Sequence, residues 1–241
     1  MIPGYDHFLE LMGDIVASIA AVSEQNNEEE DLHILVIGPG YGEEMIAMAR
    51  ALPDTSRLRI TAYEPSEAMV EACRHMMAQQ EKTLLNLADQ VTIIPTAFGA
   101  TTKDERQYHV VTILNVLHLM PPEEQVVLFE AVAKRVAPGG MLLVSGGSLP
   151  EEEGLRNLIF RVVKHRWRRL GIDDEAQEKI FASSGKTFFD IQADNLQKVL
   201  QKIEADGDTE DEDACTLHFS PLKELQRGYS GNVVWFSERL K

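Results

Sequence analysis

At 241 residues the chain has the length of one large domain, or of one domain with an inserted piece, and its 44% hydrophobic content is ordinary for a globular protein. Its 39 acidic and 23 basic residues leave a net charge of −16, which argues against nucleic-acid binding over the whole surface. No apolar run nears the roughly 20 residues of a membrane span, the start lacks a secretion-signal pattern, and two cysteines, Cys73 and Cys215, are too few for a disulfide framework, so a cytoplasmic protein is expected.

Asp6 to Ala21 sets Phe8, Leu11, Met12, Ile15 and Ile19 at helical spacing and predicts an amphipathic helix. An acidic linker, Glu24 to Asp31, follows it. His33 to Gly38 is a short apolar run ending in glycines at positions 38, 40 and 42, with a helical segment from Glu43 to Leu52 behind them. That is a strand, a glycine turn and a helix start. Glycine admits positive φ and lets a ligand lie directly against the backbone, beside the free N–H groups that open a helix. A dinucleotide fingerprint would need its third glycine at position 43, where Glu43 stands.

Arg59 to Glu64 reads as the second strand, Ser66 to Gln80 as its helix, Val91 to Ala97 as the third strand and His109 to Asn115 as the fourth. Glu123 to Val136 reads as a helix that Pro138-Gly139-Gly140 ends, and Met141 to Ser145 as the fifth strand. Strands alternating with helices predict an α/β, doubly wound parallel sheet buried on both faces. Glu64, at the end of the second strand, sits where such sheets place an acid on a ligand's ribose hydroxyls. The alternative for Glu64 is a solvent-facing strand-end carboxylate.

Past Glu151 the pattern is helical to about Glu204, without a clear strand. Arg156, Arg161, Lys164, Arg166, Arg168 and Arg169 make one segment strongly basic. It would suit an anionic substrate, a nucleic-acid backbone or an acidic partner surface, or it is a solvated face balancing the acidic runs. The acidic run from Glu204 to Asp213 reads as a solvated loop. Cys215 to Leu222 and Asn232 to Ser237 are β-rich and predict a terminal antiparallel pair.

Leu35 to Gly42, Ala62 to Arg74, His109 to Leu119 and Ala133 to Ser145 resemble, in order, four motifs of the class I S-adenosylmethionine (SAM) dependent methyltransferases. The resemblance implies a Rossmann-like seven-stranded sheet of order 3-2-1-4-5-7-6 with a helical insertion after strand five. It divides the chain into an N-terminal helix and linker (1–30), a SAM-binding core (31–149), a helical lid (150–205), and an acidic loop with a terminal hairpin (206–241). It implies SAM as cofactor and S-adenosyl-L-homocysteine (SAH) as product. Implied contacts are Gly38, Pro39, Gly40, Gly42, Glu64, Pro65, Met69, Ala97, Phe98 and Val116, with no metal.

Ile2-Pro3-Gly4-Tyr5 before the first helix, Asn115 ending strand four and the size of the insertion resemble the carboxy-SAM synthase group, which acts in tRNA wobble-uridine modification. That likeness adds Tyr5 and Asn115 to the implied contacts. Three positions depart from the family patterns. Val36 stands where an acid near the methionine amino group is usual. Pro95-Thr96-Ala97-Phe98 lacks the acid common after strand three. Leu196 to Gln201 lacks the arginine that the synthase group uses for its added carboxylate.

His118 is the candidate general base, since imidazole titrates in the right range; the alternative is a histidine that caps its loop or packs under the cofactor. Three functions follow from this reading: a methyltransferase for a small-molecule acceptor, a carboxy-SAM synthase-like enzyme, or a non-catalytic SAM-binding scaffold. The expected partners are a small acceptor, anionic if it meets the basic segment, and a second copy of the chain, making a homodimer through 150–205. No membrane partner is expected.

Overall fold

The computed structural model describes residues 5–25, 31–80, 84, 86–99, 101–147, 152–169, 171, 173–175, 178–179, 191–207, 219–227 and 232–240. Helix α1 (Tyr5–Gln25) leads to strand β1 (Leu32–Ile37), then α2 (Glu43–Ala51), β2 (Leu58–Tyr63), α3 (Glu67–Gln80), the short α4 (Leu87–Gln90) and β3 (Val91–Ile94). Strand β4 (Tyr108–Leu114) follows, with a 3-10 turn (Leu117–Leu119), α5 (Pro122–Ala133), β5 (Val136–Gly147), α6 (Glu153–Arg169), α7 (Ala193–Gly207), β6 (Lys223–Arg227) and β7 (Asn232–Glu238).

The strands form one seven-stranded sheet of order β3-β2-β1-β4-β5-β7-β6, the order that the resemblance implies. Pairs from β3 through β5 are parallel, and β7 runs antiparallel between β5 and β6. Strand β1 is apolar but for His33, because alternate side chains enter two cores. Ile34 and Val36 pack with α1, α2 and α3, through Met12, Met45, Met48 and Cys73. Leu35 and Ile37 face the other side, with Phe129 and Val132 of α5 and Leu196, Val199 and Leu200 of α7.

Three boundaries depart from the expected ones. The helix before strand five ends at Ala133 rather than Val136, and β5 begins at Val136, taking in Pro138-Gly139-Gly140. Those residues form an irregularity inside the strand, since Tyr108 pairs with Val136 and Val110 with Met141. A side chain at Gly140 would start 2.8 Å from the Ala137 carbonyl oxygen and 2.9 Å from that of His109, so glycine is needed for close backbone approach. The buried guanidinium of Arg239 donates to the Val136 carbonyl at 2.6 Å and ties this end of β5 to the chain's last strand. Strand β3 stops at Ile94, short of Ala97, because Pro95 cannot extend the ladder. The terminal pair is β6 with β7; of the expected strand from Cys215 to Leu222, residues 215–218 lie outside the described residues, and Phe219 only bridges Arg239.

The expected lid divides in two. Helix α7 is a core helix: Leu196, Val199, Leu200 and Ile203 are at most 5% exposed and pack on α5. Helix α6 has no element packed extensively along it among the described residues, and it leaves Leu158 and Val162 exposed.

Candidate functional site

The turn after β1 is built on three left-handed glycines, with φ of 67° at Gly38, 54° at Gly40 and 81° at Gly42. Other residues rarely adopt this conformation. A Cβ at Gly38 would stand 2.5 Å from Cγ2 of Val116, so the first glycine lets the loop after β4 close onto the turn. At Gly40 the nearest heavy atom would be Cε of Met69, at 3.8 Å, which leaves a face open to a ligand. The turn is pinned by Gly38 N–H donating to the Tyr63 carbonyl at 2.9 Å and by Gly42 N–H donating to the Pro39 carbonyl at 2.8 Å. Pro39 is buried.

Beside the turn, β2 delivers Glu64, 7% exposed. Its Oε1 accepts a hydrogen bond from the Ser66 N–H at 2.9 Å, which orients the carboxylate and leaves the second oxygen for a ligand. Pro65 is exposed and Met69 half-buried. The Phe98 ring turns inward and packs edge-on against Tyr63, with centroids 4.9 Å apart, so its side chain serves the core. Ala97 is exposed beside it. Tyr108 and Tyr63 both donate to Asp104 Oδ2, at 2.5 and 3.4 Å, fixing the connection from β3 to β4 over that core. Burial first, and then Asp104, raise both phenol pKa values, so these tyrosines stay protonated.

On the other side of the turn, β4 ends at Asn115, held at φ 57° with its N–H donating to the Ser145 carbonyl at 2.9 Å. Val116 and then His118 follow, the latter half-buried in the 3-10 turn. Its Nδ1 lies 3.3 Å from where a Cβ at Gly146 would sit, and Ile191, just ahead of α7, closes on the same glycine. Burial lowers the imidazole pKa, so the ring is neutral at pH 7. Tyr5 opens α1, and its side chain lies outside the described residues.

The residues expected at the site thus fall into two groups. Gly38, Gly40, Glu64, Met69 and Val116 surround the turn, with Asn115 and His118 on the β4–β5 side; Phe98 is drawn into the core instead. All sit at the carboxyl ends of β1, β2 and β4, where the order of strands departs from β1 in opposite directions. That switch point is where doubly wound sheets bind ligands.

One acid went unnoticed in the sequence. Glu44, in the first turn of α2, is 3% exposed, and its Oε1 has no hydrogen-bond partner among the described residues. Burial raises its pKa well above the ordinary 4.5. The signal was available: on a helical wheel Glu44 shares a face with the buried Met48. Cys73 lies close by, its Sγ 2.8 Å from where a Gly42 Cβ would sit, and its thiol is pushed up to about 11, by burial first and then by Glu44 and Glu64.

A nucleoside cofactor with a sulfonium side chain fits these residues, with a glycine cradle for its backbone, an oriented carboxylate for its ribose, and a half-buried thioether at Met69. Residues 35–142 match the methyltransferase domain family. The carboxy-S-adenosyl-L-methionine synthase of Pseudoalteromonas translucida is 23% identical over 235 residues, covering 98% of this chain and 81% of that protein. The synthase of the same name from Marinobacter nauticus is 26% identical over 145 residues; in that match the chain spans about half of the relative, 51% of its length. The crystal structure of magnesium protoporphyrin IX methyltransferase from Synechocystis PCC 6803 with bound SAM superposes with a TM-score of 0.55 at 15% identity, covering 96% of this chain and 79% of that one, a likeness of fold. Fold, glycine turn and the match of residues 35–142 are together similar to those of the class I, SAM-dependent methyltransferases.

Proposed function

We propose that the chain moves the methyl group of SAM to a small-molecule acceptor at the carboxyl edge of β1, β2 and β4. The observation that carries this reading is the left-handed glycine turn beside the buried, pre-oriented Glu64. SAM supplies an activated methyl group on a good leaving group. The protein's part is to grip the cofactor, align the acceptor and exclude water. Glu64 accepts both ribose hydroxyls, Gly40 and Met69 border the adenine side, and Asn115 and Val116 border the methionine side. Pro39, Gly42, Pro65 and Ala97 complete the wall through their backbone, with Tyr5 as a further contact. His118 takes the proton that a hydroxyl or acidic acceptor loses, which its neutral ring permits. Helix α6 is proposed as the cover, its exposed Leu158, Arg161 and Val162 meeting an anionic acceptor or a second copy of the chain. The free, buried thiol of Cys73 accords with a reducing cytoplasm.

Calorimetry with SAH tests the cofactor. Micromolar binding is expected, and the absence of binding would also leave the scaffold reading without a ligand. His118→Gln is expected to leave SAH affinity within about twofold while slowing transfer to a screened acceptor by a factor of about 100 or more.

A carboxy-SAM synthase activity is the second reading, favoured by similarity to such an enzyme over 98% of this chain. Against it, Leu196 to Gln201 offers no arginine, and the stretch is structural: Leu196, Val199 and Leu200 are core residues, and Gln197 Oε1 accepts the Leu222 N–H at 2.5 Å. Mass spectrometry of the ligand carried through purification separates the two, since a carboxylated cofactor is heavier than SAM.

A further inference from the structure

SAM ends in an amino acid whose ammonium needs an acid once it leaves water. The residue on β1 nearest the turn on the α2 side, Val36, is apolar and fully buried. Glu64 is committed to the ribose end. The remaining buried carboxyl bordering the turn, among the described residues, is Glu44. We propose that Glu44 receives the cofactor's methionine ammonium, an inference that rests on the SAM reading above.

Three observations carry it. First, position: Glu44 stands two residues beyond Gly42 in the first turn of α2, and Glu64 follows Tyr63, whose carbonyl accepts the Gly38 N–H, so the two acids border one turn. Second, direction. Helix α2 has α3 on one flank, where Arg50 donates to Gln80 at 2.6 Å. On the other flank lies α1, where a Cβ at Gly13 would start 2.9 Å from Cβ of Ala51 and 3.2 Å from the Ala47 carbonyl oxygen. Residues three and seven apart share a helix face, so Glu44 lies on the α1 flank with Ala47 and Ala51. The α3 flank follows β2 and is the nucleoside side. The α1 flank is therefore the side to which the amino-acid end extends. Third, chemistry: Oε1 is buried without a partner among the described residues. Such a group is costly to keep unless something pairs with it, and an ammonium is the partner that also compensates its charge. Val36 and Glu44 both belong to the sheet face covered by α1 and α2, so the acid is carried by the helix where the strand offers none.

The test compares two ligands that differ only at the amino-acid end, SAH and 5′-methylthioadenosine, titrated calorimetrically into wild type, Glu44→Gln and Glu64→Ala. Glu44→Gln is expected to weaken SAH at least tenfold and to leave methylthioadenosine within twofold, which also proves that the turn has folded. Glu64→Ala is expected to weaken both ligands by a similar factor. Equal weakening of both ligands by Glu44→Gln, or no weakening of SAH, overturns the proposal. A wild type that binds neither ligand overturns the SAM reading itself and the proposal with it.

Discussion

Glu44 and Glu64 are both nearly inaccessible, at 3% and 7%, and both border one glycine turn, yet they are held differently. Glu64 ends a strand, where the chain turns and the Ser66 N–H reaches back to its carboxylate. Glu44 lies inside the first turn of a helix, where it faces an apolar layer and its Oε1 finds no donor among the described residues. The first acid is pre-paired and ready for a neutral ligand; burial raises the pKa of the second, which suits it to a cation that would compensate its charge. Burial alone therefore says little about a carboxyl. The donors that local backbone geometry supplies decide what it can bind.

The strongest way to break this comparison is Gly42→Val, which disturbs the turn that both acids share. The substitution forces a β-branched residue to φ 81° and drives its Cβ to within 2.6 Å of Met77 Cε. It should cost about 2–5 kcal/mol of stability, read by denaturant unfolding, from left-handed backbone strain and overpacking together. Glu64→Ala should cost about 2–3 kcal/mol of cofactor affinity through lost charge-assisted hydrogen bonds; unchanged affinity would place the ribose elsewhere.

Glu44→Gln sharpens the contrast through pH. Burial raises the folded pKa of Glu44 above 4.5, so the folded chain keeps a proton that the unfolded chain releases. The wild type thus loses stability, relative to the variant, as pH rises from about 4.5 toward the folded value. The melting temperature of Glu44→Gln minus that of wild type should grow in the variant's favour between pH 4.5 and 7; a flat difference would show that Glu44 ionises normally. The smallest effect is expected from Met69→Ala, about 1 kcal/mol of affinity for SAH and methylthioadenosine alike, because a half-buried thioether chain is lost from the adenine side.

Much of the fold was legible because its signals are local. Apolar runs of strand length, glycines at 38, 40 and 42, and the acid at Glu64 each follow from backbone geometry within a few residues, and the sheet order came with the family resemblance. Where distant segments meet, legibility ended. Pro138-Gly139-Gly140 reads as a helix stop, but Arg239, a hundred residues later, pins Val136 into the strand. Phe98 reads as a ligand contact, and the structure packs its ring edge-on against Tyr63. Helices α6 and α7 carry the same helical periodicity. One buries Leu196, Val199 and Leu200 against α5, and the other leaves Leu158 and Val162 exposed.

By itself the sequence determined the strands and helices of the core and the glycine turn, since each depends on covalent geometry and spacing along the chain, while the cofactor class came with the resemblance of four motifs to a known family. Only the tertiary structure decided which apolar faces are covered and which carboxyls are paired. Burial and pairing depend on what the rest of the chain brings alongside, and that information is not stored next to the residue it governs.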